Sequence, residues 1–253
     1  VNQKGDIMIL AVAGKMGSGK DTVAKHLVEN LGFVRMAFAD NLKYACMNAF
    51  GLSYEDCFNE EAKFKPFGYD KEYFWFWEKF EKNPVIFNTR HAYSIINWAK
   101  EINHFPVTNT QIAEILAMVG RVKFETPRHI LQYVGTEIFR NVIDEDYHAK
   151  VLANEIKQSG AQNIVISDCR FPNERAQVKS WGGATILVTG RETSESADLK
   201  SKAHASENSL GTEMDYDYVI LNNGTLVNLF ETVDGIILDL NLSFPKMQTS
   251  IFI

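Results

Sequence analysis

The run Gly14-Lys15-Met16-Gly17-Ser18-Gly19-Lys20-Asp21-Thr22 sets three glycines, a serine and two lysines between an apolar stretch and a helical pattern. Gly14, Gly19 and Lys20 satisfy the G-x-x-x-x-G-K core of a Walker A phosphate loop. Small residues let the backbone curl so that successive N–H groups face one anion, and the following helix adds the positive end of its dipole. Lys20 can then bridge the β- and γ-phosphates of a nucleoside triphosphate and compensate charge while a phosphoryl group moves. Gly-rich turns also follow strands for purely structural reasons, but the lysine and the place of the loop after the first strand favour phosphate.

The hydroxyl residue that commonly follows the lysine is replaced by Asp21, with Thr22 next. Nucleoside monophosphate kinases of the adenylate kinase type, which carry G-K-G-T, also lack that hydroxyl, so G-K-D-T looks like a kinase variant and not a motor ATPase. Asp21 can hold Mg²⁺ directly, hold a water on it, or contact the acceptor; the Thr22 hydroxyl is placed to reach the α-phosphate. A second acid, Asp168, ends the apolar run Asn163–Ser167 as a Walker B acid does, where it can orient Mg²⁺ or its waters. Arg170 lies two residues further on and can clamp a phosphate bidentately, with Glu174 placed to hold its fork. A surface salt bridge at a helix start is the bland reading of that pair.

Thr126 to Arg140 carries a third set of candidates. Thr126 reads as a cap and Pro127 as the first helical residue. Ile130, Leu131, Val134 and Ile138 form an apolar stripe, whereas Arg128, Gln132 and Thr136 line another face at i, i+4 and i+8, together with His129 and Gly135. Gly135 in mid-helix costs about 1 kcal/mol relative to Ala, which favours a face that a ligand approaches over a merely solvated one. The polar segment from Gly190 to about Gly211, with His204-Ala205-Ser206-Glu207, reads as a loop that in a kinase would suit a lid, or as a merely exposed loop.

The elements that must position these groups alternate. Strands are predicted at 7–13, 35–39, 163–167, 185–189 and 218–221. Helices are expected over 20–30, from Asp40 as cap to about Phe50, over 172–181 closed by Gly182 and Gly183, and over about 226–240. Such βαβ alternation implies an α/β, three-layer fold: a mostly parallel five-stranded sheet with helices on both faces. From Leu52 to Glu125 the rhythm fails and aromatics crowd (Phe64, Phe67, Tyr69, Tyr73 through Trp77, Phe80, Phe87). That segment is expected to be a mainly helical insertion over the carboxyl edge of the sheet in a single domain spanning 1–253. Its aromatics can stack a nucleobase or simply form a core.

With 253 residues and 45% hydrophobic content the chain can bury a substantial core. A net charge of −6 argues against polymeric nucleic acid as the main partner, though local donors can still bind a small anion. No stretch reaches the roughly 20 apolar residues of a membrane span, and Val1–Asp6 lacks the layout of a signal peptide. Cys46, Cys57 and Cys169 form no C-x-x-C pair or metal spacing, and the 6 histidines are scattered, so buried free thiols in a reducing cytosol are expected and a zinc site is not.

Taken together, G-S-G-K-D-T (17–22), P-R-x-x-L-Q-x-V-G-T-E (127–137), S-D-x-R-F-P-N-E (167–174), H-x-S-E (204–207) and D-Y-V-I-L-N-N-G-T-L (217–226) resemble the deoxynucleoside monophosphate kinases of tailed bacteriophages. The blocks stand in family order; 52–125 does not align, and the chain departs from the family at His129 and around Tyr147. The resemblance implies an adenylate-kinase-like P-loop fold and the reaction ATP + dNMP → ADP + dNDP with Mg²⁺. It puts Gly14, Lys15, Gly17, Ser18, Gly19, Lys20 and Thr22 at the donor phosphates, and Asp21 and Asp168 at the metal. Arg128, Gln132, Gly135 and Thr136 then meet the acceptor or the transferring group, with Asp168, Arg170 and Glu174 completing the centre. It also suggests a homodimer, to which the apolar end (Phe244, Met247, Ser250–Ile253) can contribute, and work in the cytoplasm of a bacterial host.

The acceptor of such a reaction is already an oxyanion, so positioning and charge neutralisation by Lys20, Arg128, Arg170 and Mg²⁺ suffice without a strong base. Two other functions fit the phosphate loop. One is a kinase for a different small acceptor such as dephospho-coenzyme A; the other is a nucleotide-sensing ATPase, which leaves Arg128 and Arg170 with little to do.

Overall fold

The structure is a computed structural model that describes residues 7–67, 84–190 and 209–243. In chain order the elements begin β1 (Met8–Ala13), α1 (Lys20–Leu31), β2 (Val34–Met36), α2 (Asp40–Phe50) and α3 (Tyr54–Phe58). There follow β3 (Val85–Ile86), α4 (Thr89–Asn97) with a π-helical turn at Trp98–Ile102, α5 (Asn109–Ala117) and β4 (Lys123–Phe124). Then come α6 (Pro127–Tyr133), a π-helix over Val134–Ile143, α7 (Tyr147–Ser159), β5 (Asn163–Ile166) and α8 (Pro172–Ser180). The chain closes with β6 (Ala184–Thr189), β7 (Tyr218–Leu221) and α9 (Leu226–Ser243). No helix among the described residues is long and apolar enough to cross a membrane.

Two compact units divide the chain: Val1–Phe38 with Leu152–Ile253, and Ala39–Val151. The first holds a five-stranded sheet in the order β2-β5-β1-β6-β7, parallel at every pairing. Central β1 is apolar at nearly every position because both its faces are covered, as parallel sheets require. Against it pack Val23, Leu27, Ile186, Val188, Leu229 and Val233 from α1, β6 and α9. α1 is further tied to α9 by His26, whose ring stacks on Phe230 at 4.1 Å and whose Nε2–H donates to Asp234 at 2.8 Å. Asn30 donates to the other ring nitrogen at 3.0 Å, which fixes that tautomer.

Strand β2 is displaced from its predicted span of 35–39 and stops at Met36. The cause is a side chain remote in sequence: the Phe38 N–H donates at 2.8 Å to the Asp168 carboxylate, so this stretch leaves the ladder for a side chain. Asp40 is the first helical residue and not the cap; its carboxylate receives Lys43 Nζ at 3.0 Å.

The second unit is mostly helical, with β3 and β4 paired antiparallel over two residues each. It encloses segment 52–125 and extends beyond it to α2, α6 and the π-helix. Of the aromatics expected in the insertion, Phe87 is fully buried beside Phe124, in a core with Leu42, Ile95, Ile130 and Val134. Tyr69, Tyr73 through Trp77 and Phe80 lie outside the described residues, as do most of the lid-like segment and the apolar end from Phe244. Cys46, Cys57 and Cys169 are free and buried. Burial pushes all three thiols up, that of Cys57 to about 11.

Candidate active site

The phosphate loop leaves the carboxyl end of β1 and enters α1 with Gly17 at φ 80° and Gly19 at φ 100°, values that favour glycine. Glycine is required at two loop positions for space as well. A Cβ at Gly14 would meet the Ser18 side chain and come within 2.6 Å of the Val188 carbonyl; one at Gly19 would collide with the Asn222 side-chain amide. α1 has no side-chain cap at its start, so its first N–H groups are offered to whatever occupies the loop. Ser18 is buried, and its hydroxyl oxygen finds no hydrogen-bond partner in the protein. Lys20 is largely buried, its Nζ 2.8 Å from the carboxylate of Asp21, which is itself exposed.

Asp168, Arg170 and Glu174 follow β5, the strand next to β1. The Cys169 N–H donates to the Val12 carbonyl at 3.3 Å, which draws the turn bearing Asp168 and Arg170 to the end of β1 where the phosphate loop begins. Glu174, buried in the first turn of α8, accepts the backbone N–H of Arg170 at 2.8 Å and of Phe171 at 3.0 Å. Its carboxylate therefore shapes the backbone beneath the Arg170 side chain. Buried Arg175 supports the same turn from behind: its guanidinium donates to the Arg170 carbonyl at 3.3 Å, to the Ser209 carbonyl at 3.2 Å and to Tyr216 Oη at 3.2 Å.

In the second unit Arg128, Gln132, Gly135 and Thr136 share one helical segment. Thr126 caps it as expected, accepting the His129 N–H at 3.2 Å. Arg128 sits in the first turn with its guanidinium 4.7 Å from the centre of the Phe64 ring. Lys63 is nearby; burial holds its ammonium below the ordinary range, and the cations Lys43 and Arg128 push the same way against the pull of Glu60. The π-helical winding from Val134 turns Thr136 away from the straight i, i+4, i+8 row. Gly135 corrects the reading of a glycine that leaves room for a ligand. It is buried, a Cβ there would press to 2.7 Å of Leu42 Cδ2, and its carbonyl lies 3.2 Å from His148 Nε2. The Leu42 side chain occupies the space beside this glycine.

No cluster of three metal-ligating His, Cys, Asp or Glu side chains occurs among the described residues. Mg²⁺ is typically bound by one or two carboxylates together with nucleotide phosphates and water, and Asp21 and Asp168, both oxygen donors beside the loop, match that limited demand.

Asn222 is the site residue that sequence reasoning left without a role. It follows β7 at the same carboxyl edge, and its side-chain N–H donates to the Ser18 carbonyl at 2.8 Å. A polar residue directly after the apolar strand Tyr218–Leu221 was the available signal.

Residues 8–233 match the sequence model of a family described as deoxynucleotide monophosphate kinase. A protein of Acanthamoeba polyphaga mimivirus, provisionally named a deoxynucleotide monophosphate kinase, is 27% identical over 239 residues, covering 90% of this chain and 94% of its own. The deoxynucleotide monophosphate kinase of Enterobacteria phage T4 is 26% identical over 242 residues, covering 89% and 96%. With a phosphate loop on a parallel sheet and a family match running from β1 into α9, the chain belongs to the deoxynucleotide monophosphate kinase family.

Proposed function

We propose that the chain catalyses ATP + dNMP → ADP + dNDP, with Lys20 and the loop N–H groups holding the donor phosphates. The observation that carries this reading is the glycine-bounded loop after β1, with Lys20 at its end and the buried, unpartnered Ser18 hydroxyl inside it. Arg170 neutralises charge on the phosphoryl group in flight, its backbone fixed by Glu174. Arg128, with Gln132 and Thr136, takes the anionic acceptor in the second unit, where the Arg128 guanidinium rests 4.7 Å from the centre of the Phe64 ring. Asp21 and Asp168 would hold Mg²⁺, which, when bound, neutralises the β- and γ-phosphate oxygens. Because the acceptor phosphate is ionised at neutral pH, the chain need supply no strong base. Action in the cytoplasm on free nucleotides, with no polymeric nucleic acid as partner, completes the reading.

The test is coupled ADP release with ATP and Mg²⁺ against each dNMP and NMP, with a control lacking acceptor. Turnover that depends on a deoxynucleoside monophosphate is expected. ADP release without any acceptor would replace this reading with an ATPase, and silence with every nucleotide would point to another acceptor.

A further inference from the structure

Three strand ends converge on Asn222. Its backbone N–H continues the β6–β7 pairing, donating to the Thr189 carbonyl at 2.7 Å. Its side chain is buried, at 5% exposure, and crosses to the phosphate loop to donate to the Ser18 carbonyl at 2.8 Å. Two glycines make room for it: a Cβ at Gly19 would collide with its amide, and one at Gly190 would lie 3.1 Å from its backbone nitrogen.

The consequence follows from the planar trans peptide, in which C=O and N–H point in opposite directions. Anchoring the Ser18 carbonyl on Asn222 aims the Gly19 N–H the other way. Gly19 stands immediately before Lys20, so the orientation of this one peptide sets the entry into α1 and the base of the lysine. The Ser18 hydroxyl, buried and without a protein partner, belongs to the same residue and leaves a donor for an incoming anion. Loop N–H groups alone could rotate; a carbonyl held by a buried amide cannot do so without losing a hydrogen bond that nothing else in a dry site replaces.

We infer that Asn222 is a positioning residue for the donor phosphates: it holds the Ser18–Gly19 peptide in the orientation that binds them, without touching them itself. The inference rests on the reading of the loop as the donor site.

The experiment compares wild type with Asn222→Asp, which keeps the shape but sets a carboxylate oxygen against the Ser18 carbonyl, and with Asn222→Ser, which removes the reach. ADP binding by calorimetry and the KM for ATP and for the acceptor are measured on folded protein. Expected is a loss of about tenfold or more in ADP affinity with a similar rise in the KM for ATP, and an acceptor KM within about twofold of wild type. ADP affinity within about twofold of wild type in both variants would overturn the inference, as would equal losses for donor and acceptor.

Should neither variant fold, the side-chain amide resonances of Asn222 in wild-type protein decide. They should shift on saturation with ADP and stay in place with the acceptor alone, and an absence of any shift with ADP overturns the inference. Wild type that binds no ADP removes the functional reading itself. Wild type that binds ADP while the variants match it removes the role of Asn222 alone.

Discussion

Lys20 Nζ lies 2.8 Å from the carboxylate of Asp21, its immediate neighbour in the chain. The pair is asymmetric: the lysine side chain is 11% exposed and the aspartate 79%. In the proposed reading the γ-phosphate displaces this partner from the lysine, and the acid sets an oxygen donor beside the nucleotide. Asp21→Ala should therefore raise the Mg²⁺ concentration for half-maximal turnover by about tenfold, the scale of one lost charge-assisted contact. Magnesium titrations at saturating ATP and acceptor check this, and an unchanged requirement would assign Asp21 to the acceptor instead.

Removal of the cations should abolish turnover without unfolding. Lys20→Ala and Arg170→Ala are each expected to lower kcat by about 10²–10³-fold, the range for losing one preorganised transition-state donor. Melting curves and ADP release on the same preparations separate this from misfolding. Near-wild-type turnover in either variant refutes its role.

Gly135 is packed closely against Leu42. Gly135→Ala pushes a methyl against Leu42 in a packed core, and a loss of about 1–3 kcal/mol is expected. Urea unfolding measures it. The loss in the Gly135→Ala, Leu42→Ala double variant should be smaller than the sum of the two single losses, because the clash and the vacated volume lie at the same contact.

His148 makes stability depend on pH. Burial, reinforced by the charge of Arg140, lowers its pKa to about 3, so it is neutral in the fold and its ring bonds to the Gly135 carbonyl. An unfolded chain protonates the same ring near pH 6.5. The folded value is depressed, so the full contribution is present above about pH 6.5 and falls away as pH drops toward 3. The slope approaches about 1.4 kcal/mol per pH unit. His148→Gln should flatten that part of the curve in unfolding titrations between pH 7 and pH 4.

The cysteines should be inert. With burial raising every thiol, and Cys169 raised further by Glu174 and Asp168, the thiolate form is scarce at pH 8. An alkylating reagent should leave the native protein unlabelled by mass spectrometry and fully active, although Cys169 stands between Asp168 and Arg170. Rapid labelling at Cys169 would show that the turn after β5 opens.

The sheet and the glycine-rich loop after β1 were legible in sequence because their signals are local. A buried parallel strand must be apolar throughout, so Met8–Ala13, Asn163–Ile166 and Ala184–Thr189 stand out, and a phosphate loop requires glycines and a lysine at fixed spacing. What tertiary structure decided are the contacts between residues remote in sequence, about which local pattern carries no information. The early end of β2 depends on an Asp168 carboxylate 130 residues away claiming the Phe38 N–H. The glycine at 135 answers to Leu42, not to a ligand, and the π-helical winding over Val134–Ile143 looks like ordinary helix in sequence because both windings need the same residue types. Asn222 reaches the phosphate loop across 204 residues, because parallel pairing brings the ends of β1, β6 and β7 to one edge. Residue types at fixed spacing marked the phosphate loop, because that signal is local; the parallel pairing of strands decided which remote side chains meet it.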